Sequence, residues 1–359
     1  GGTEATVRDL SLLATQNGHE VTILTFAHCS NHITDEIIKK NINLLSFPAS
    51  NFFSLKNFIF FKRHLKKQNY DIIHAHTEEV HFYLSFLSLI LSLHVPIIMT
   101  EHYFRYKNIR FNPFRRFMYQ RYQKVICVSN DMKDYFHQYL TKIQQKCVVI
   151  HNGIDIKKYS IHYSQNDILH QPIQVICNAR LVKQKDLQTC IKALIYTRSN
   201  IHLTIAGDGK LRRKLNKLIR QLNLQDKITL LGWRQDIKNL LQTADIYVQT
   251  SRWEGFSIAI LEAMASGLPL VVSNAAGLVE AVGEAALIFP IGDATKLGAC
   301  LDKLASDATL RFNLSQRALT RVKKYSLNEM WEKHAKIYHA TINNNRHNCW
   351  PAVLDYIGC

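Results

Sequence analysis

The sequence predicts an α/β protein made of two doubly wound, Rossmann-like domains, and three observations carry that prediction. The chain has 359 residues, more than one hydrophobic core ordinarily organises. Its C-terminal half alternates short apolar runs with segments of helical period, the pattern of a parallel sheet covered by helices. The N-terminal half repeats the pattern but starts abruptly, at Gly1-Gly2-Thr3.

In the second half, strands are expected over 173–178, 203–206, 228–231, 246–249, 270–273 and 286–289, each a short apolar run between polar or turn-forming residues. A loop carrying Arg180 to Lys185 follows the first, and a basic helix near 211–222 follows Gly207-Asp208-Gly209. In the first half a helix over 6–16 leads to a strand at 21–26, and a strand at 96–100 precedes His102. Gly1-Gly2 reads as a loop that a strand would normally precede. That strand is central in a doubly wound sheet, so the expectation is a chain whose first N-terminal strand is missing. The domain boundary is expected in the polar stretch 160–172. This gives a domain over 1–162, a second over 163–325, a closing helix at about 326–342 assigned to the first, and a tail, 343–359, of no assigned role.

Composition narrows the function. Lys and Arg outnumber Asp and Glu by 45 to 28, a net charge of +17. Residues 1–160 carry 20 basic against 12 acidic side chains and the remainder 25 against 16, so both halves are basic. Nucleic acid, an anionic membrane or an anionic nucleotide ligand would each suit such a surface. No nucleic-acid motif is evident, and no nucleic-acid partner is expected. The longest apolar run, 82–93, is broken by serines and too short to span a bilayer. Eight cysteines show neither Cys-x-x-Cys nor metal-ligand spacing, the pattern of reduced thiols in a cytoplasmic protein.

The densest chemical signal lies at 253–269. Ile258, Leu261 and Ala265 recur at helical spacing, Gly267 supplies a stop and Pro269 opens an apolar strand. Glu262 is the only charge in that helix. Burying it would cost several kcal/mol unless something pairs with it; a helix that turns Glu262 to solvent is the competing reading. Seven residues separate it from Glu254. This E-x7-E arrangement follows, in order, Gly1-Gly2-Thr3-Glu4, His74-Ala75-His76, His102, Asn152-Gly153-Ile154-Asp155, Arg180 with Lys185, and Gly207-Asp208-Gly209. Together these landmarks resemble glycosyltransferase family 4, retaining enzymes of the GT-B fold, from Gly1 to about residue 342.

The resemblance implies two Rossmann-like domains facing a central cleft, the first for an acceptor and the second for a nucleotide sugar. It implies a retaining, metal-independent glycosyltransferase that moves a hexose from a UDP- or GDP-sugar to a glycan or lipid-linked acceptor, as in cell-surface polysaccharide or glycolipid biosynthesis. The chain has no Asp-x-Asp pair, so fixed cations and helix N-termini are expected to meet the diphosphate charge without a divalent metal or other cofactor. By resemblance, Arg180 and Lys185 neutralise the pyrophosphate, Glu254 takes hydroxyls of the donor sugar, Glu262 takes the ribose diol and His102 contacts the transferred sugar. The backbone of Gly255, Phe256 and Ser257, just ahead of the helix, can face phosphate. Gly1 and Gly2 let backbone approach the donor phosphates or the acceptor closely. Gly207 lies in a turn that reads either as a tight turn alone or as part of the donor site, and Gly277 in a further loop expected to close over the donor. His74 and His76 lack a third ligand, so no metal site is assigned. Two alternatives stay open: a sugar-nucleotide 2-epimerase on the same architecture, and a donor-binding remnant without activity.

Residues 51–68 mix Phe52, Phe53, Phe58, Phe60 and Phe61 with Lys56, Lys62, Arg63, Lys66 and Lys67, and 105–124 form a second basic, aromatic stretch. Rings at the interface and cations at headgroups suit an anionic bilayer. Peripheral association with the inner face of a membrane is therefore expected; the alternative is an amphipathic helix packed on its own sheet.

Overall fold

A computed structural model describes residues 2–25, 40, 42–48, 51, 54–90, 95–102, 113–160 and 171–349. Gly1, Phe52, Phe53, the 103–112 part of the second basic stretch and the tail from 350 onward lie outside them. The chain divides into two compact units, Gly1–His151 with Leu327–Cys359, and Asn152–Ser326.

The first unit contains β1 (Thr22–Thr25), β2 (Asn43–Ser46), β3 (Ile73–Ala75), β4 (Ile97–Glu101), β5 (Lys124–Cys127) and β6 (Cys147–Val149). All pairings are parallel, in a two-stranded sheet β1-β2 and a four-stranded sheet β3-β4-β5-β6. Ile98 and Ile126 of the larger sheet share a core with Leu10 and Ala14 of the first helix, Gly2–Gln16, and with Met330 and Trp331 of the last, Leu327–Cys349. Burial of each large side chain there contributes on the order of 1.5–3 kcal/mol, which fixes the last helix to this unit.

Two helix boundaries differ from expectation. Gly2 is helical rather than part of a loop, and Thr6 Oγ1 donates to its carbonyl at 3.1 Å. No breaker separates it from Thr6, and Glu4 in the first turn complements the helix dipole. The last helix runs to Cys349, past the expected end at 342. Between them stand asparagines but no Gly or Pro, and an asparagine lowers helix stability by only tenths of a kcal/mol.

The helix Leu55–Lys67, capped by Ser54, turns Phe60 and Phe61 toward Phe47, at ring separations of 5.8 and 6.1 Å. Leu55, Ile59, Lys56, Lys62, Arg63 and Lys67 are left exposed. The apolar run near 82–93 falls largely in the helix Glu78–Ile90, whose Tyr83, Leu84 and Leu87 are buried. Among the described residues no helix is long and apolar enough to cross a membrane.

The second unit is one parallel sheet of β7 (Ile173–Asn178), β8 (Ile201–Ala206), β9 (Ile228–Gly232), β10 (Ile246–Gln249), β11 (Leu270–Ser273) and β12 (Ala286–Phe289), in the order β12-β11-β10-β7-β8-β9. Val175, Cys177, Leu203, Ile205, Ile246 and Val248 sit at its centre, covered by helices. β10 and β11 are buried along their whole length, which is why they read as short apolar runs. The strand order reverses between β7 and β10, and in open α/β sheets ligands bind beyond the carboxyl ends at such a reversal.

Candidate active site

The two glutamates of the 254–262 motif lie at this reversal, each held by named partners. Glu262 sits midway along the helix Ile258–Ala265. Asn178, the last residue of β7, donates Nδ2 to its Oε2 at 2.8 Å, and the Tyr159 hydroxyl donates to its Oε1 at 2.9 Å. The carboxylate is thus half-buried and bonded on both oxygens rather than turned to solvent.

Glu254 follows β10 and is 7% exposed. Lys185 forms an ion pair with its Oε1, to which Ser251 Oγ also donates at 2.7 Å and Gln249 Nε2 at 3.3 Å. All three bonds fall on Oε1, which leaves Oε2 as the oxygen able to take a substrate hydroxyl. A buried carboxylate needs such pairing, because an unpaired one costs several kcal/mol. Lys185 is itself locked in place. Thr250 Oγ1 donates to its carbonyl at 2.8 Å, Gln184 Nε2 donates to the Trp253 carbonyl at 3.0 Å, and Arg252 Nε pairs with Asp186 at 3.2 Å.

Glycines let these loops close. A β-carbon on Gly277 would stand 2.2 Å from the Gly255 carbonyl oxygen, and one on Gly207 (φ +143°) 2.0 Å from that of Ala179. Neither site admits a side chain without backbone movement, so Gly277 lies against Glu254-Gly255 and Gly207 against the Arg180 loop. Ser257 caps the Glu262 helix but makes no side-chain bond to its amides; its hydroxyl accepts from Gln249 Nε2 at 3.0 Å. The helix N-terminus, with its partial positive charge, therefore carries no side-chain cap. The Phe256 ring is buried against Tyr325 at 5.0 Å, and its carbonyl accepts from Asn152 Nδ2 at 3.0 Å. Arg180 extends exposed from its loop and forms no ion pair among the described residues.

His102 belongs to the first unit. It follows β4, and its Nε2 bonds His76 Nδ1 at 3.1 Å. His74 bonds Tyr338 and Thr100, both at 2.8 Å. His334 Nδ1 donates to the Met330 carbonyl at 2.8 Å, while the Nε2 atoms of His334 and His81 are buried without a partner. Burial pulls His102 down to about 3 and His81 and His334 to about 4. His102 is thus neutral at pH 7, able to hydrogen-bond a sugar hydroxyl but not to carry charge to a phosphate. Among the described residues no group of three or more His, Cys, Asp or Glu is placed to hold a metal ion.

The structure thus joins Lys185 to Glu254 and Gly277 to the Glu254 loop. It puts Gly2 in a helix of the first unit. Sequence reasoning missed Tyr159, Tyr247, Gln249 and Ser251, and read Asn178 only as the end of a strand. One signal was present: Gln249 ends an otherwise apolar strand, and a buried amide must find partners.

Comparison with known proteins identifies the family and the fold. The family model described as Glycosyltransferase Family 4 matches residues 1–158, and that described as Glycosyl transferases group 1 matches 161–321. A UDP-Gal:alpha-D-GlcNAc-diphosphoundecaprenol alpha-1,3-galactosyltransferase of Escherichia coli is 29% identical over 258 residues, covering 66% of this chain and 65% of that protein. An N,N'-diacetylbacillosaminyl-diphospho-undecaprenol alpha-1,3-N-acetylgalactosaminyltransferase of Campylobacter jejuni is 26% identical, covering 82% of this chain and 83% of that one. Among solved structures, HepE of Anabaena in complex with UDP and glucose superposes with a TM-score of 0.81 at 22% identity, over 95% of this chain and 96% of that one; at that identity the likeness speaks to fold. The chain belongs to glycosyltransferase family 4 and has the GT-B fold.

Proposed function

We propose that this glycosyltransferase moves a hexose from a UDP- or GDP-sugar to a lipid-linked glycan or polysaccharide acceptor, with retention and without a divalent metal. The observation that carries the reading is the buried Lys185–Glu254 pair beside Glu262 at the strand-order reversal. Lys185, Arg180 and the N-terminus of the Glu262 helix supply fixed positive charge for the departing diphosphate. Pre-oriented charge in a site of low polarity stabilises a leaving anion with little reorganisation. Glu262 takes the ribose diol, Glu254 Oε2 takes a sugar hydroxyl, and His102 meets the transferred sugar as a neutral hydrogen-bond partner. In the transfer step the acceptor oxygen bonds the anomeric carbon as the carbon–phosphate oxygen bond breaks, and the acceptor proton passes to the leaving phosphate. Attack on the same face preserves configuration, so no enzymic nucleophile is assigned.

The relatives support the acceptor class: the E. coli and C. jejuni enzymes are named for diphospho-undecaprenol acceptors. HepE supports the UDP donor. None of the relatives described supports an epimerase. Incubation of the chain with UDP- and GDP-hexoses and polyprenyl-diphosphate sugars, in excess EDTA, tests the reading. An α-linked product from an α-linked donor, seen by NMR, is the expected result; product that appears only with added Mg²⁺ or Mn²⁺ contradicts metal independence, and release of free altered sugar without acceptor contradicts transfer.

A peripheral membrane site on the helix Leu55–Lys67 fits an acceptor of this class. Its outward face carries Lys56, Lys62, Arg63 and Lys67 beside exposed Leu55 and Ile59. Reversal of charge at Lys62, Arg63 and Lys67 is expected to abolish cosedimentation with phosphatidylglycerol vesicles at about 0.1 M salt, with each lost cation worth about 1 kcal/mol at the surface. Unchanged cosedimentation of the triple variant would remove this site.

A further inference from the structure

We infer that Tyr247 and Gln249 are positioning residues held in one buried strand, Tyr247 fixing Glu262 by way of Asn178 and Gln249 fixing Glu254 directly. The inference rests on the reading of Glu262 as the ribose ligand and deepens it. The Glu262 carboxylate sets the direction of the first link. An ionised carboxylate only accepts, so Asn178 must present Nδ2 to Glu262 Oε2, at 2.8 Å. Its Oδ1 then needs a donor, and the Tyr247 hydroxyl supplies one at 2.7 Å. Burial, together with the Cys177 thiol and the two carboxylates nearby, holds the Tyr247 phenol well above its ordinary range, so its proton stays available to donate.

A second link starts two residues further along the same strand. Gln249 Nε2 reaches Ser257 at 3.0 Å and Ser251 and Glu254 Oε1 at 3.3 Å; the Tyr247 proton, already given to Asn178, plays no part in this link. Tyr247 and Gln249 are 0% and 1% exposed. Burying a phenol and an amide in a central strand is costly unless their hydrogen bonds are made, and here those bonds lead to the two carboxylates. Asn178 ends β7 and Gln249 ends β10, the two strands that flank the reversal. The glutamates, one on a helix and one on a loop, are thereby referenced to the rigid sheet rather than to their own flexible segments.

The test is calorimetric binding of UDP or GDP, whichever the wild type binds tighter, and of its 2′,3′-dideoxy form. Glu262→Ala should erase the preference for the ribose form. Tyr247→Phe should cut that preference about fivefold, the worth of one hydrogen bond, with dideoxy affinity unchanged. Gln249→Leu should leave both affinities in place and lower kcat for transfer about tenfold, because Glu254 faces the sugar that these nucleotides lack. Full ribose preference in Tyr247→Phe, or equal weakening toward both ligands, overturns the inference while Glu262 keeps its role. Should Tyr247→Phe fail to fold, Asn178→Ser reads the same link. A wild type without ribose preference, or a Glu262→Ala that keeps it, overturns the ribose reading and this inference with it.

Discussion

Lys185→Ala is expected to lower kcat by on the order of 10²–10³, the loss seen when one pre-oriented charge partner of a leaving anion is removed. Two effects combine at this residue. Lys185 is the cation that the loops at 183–186 and 250–254 are tied together to hold, and it sits on Glu254 Oε1. Its removal also leaves a carboxylate 8% exposed without its ion partner, a change that typically costs about 3–5 kcal/mol of stability. Turnover must therefore be measured at a temperature where circular dichroism shows the variant folded. Lys185→Arg, which keeps the charge but not the compact ammonium, should recover part of the rate while Lys185→Ala does not. Equal, near-wild-type turnover in both would remove Lys185 from the reaction.

The second large effect is a loss of stability in acid, centred on the histidines of the first unit. His81 and His334 have folded values of about 4 against an ordinary 6.5, chiefly through burial. The unfolded chain therefore binds their protons more readily than the folded one. Stability is complete above about pH 6.5 and falls as pH drops toward 4, where the loss levels off. At pH 5 each histidine costs about 2 kcal/mol, or about 4 kcal/mol for the pair, from about 1.4 kcal/mol per pH unit. Against a typical total of about 5–15 kcal/mol that is a large share. Urea titrations at pH 7, 6 and 5 should show midpoints falling steadily, and the slope should lessen in His81→Gln and His334→Gln. A midpoint flat from pH 7 to 5 would contradict the burial argument.

Much of the second unit was legible in the sequence, for a physical reason. Two of its parallel strands are buried on both faces, so Ile246–Gln249 and Leu270–Ser273 read directly as short apolar runs. Glu262 stood out because a charge in an apolar helix calls for a partner, and Glu254 by its spacing from it. The partners themselves were not legible. Tyr247 meets Asn178 across 69 residues, a contact made once β7 and β10 are neighbours, and Tyr159 meets Glu262 across 103. Helix ends were missed where no Gly or Pro marked them, as beyond residue 342. The aromatic character of 51–68 suggested rings at a membrane, but Phe60 and Phe61 pack inward on Phe47. Only the third dimension separates those faces.

The central claim, that the second unit holds a nucleotide through Glu262, is tested most directly by calorimetric titration of UDP and GDP into the full chain and into Glu262→Ala. The account predicts saturable binding of one nucleotide by the wild type and a weakening of about tenfold or more in the variant, as two carboxylate hydrogen bonds are lost. Equal binding by both proteins, or no binding of either nucleotide by a wild type shown to be folded, would contradict it.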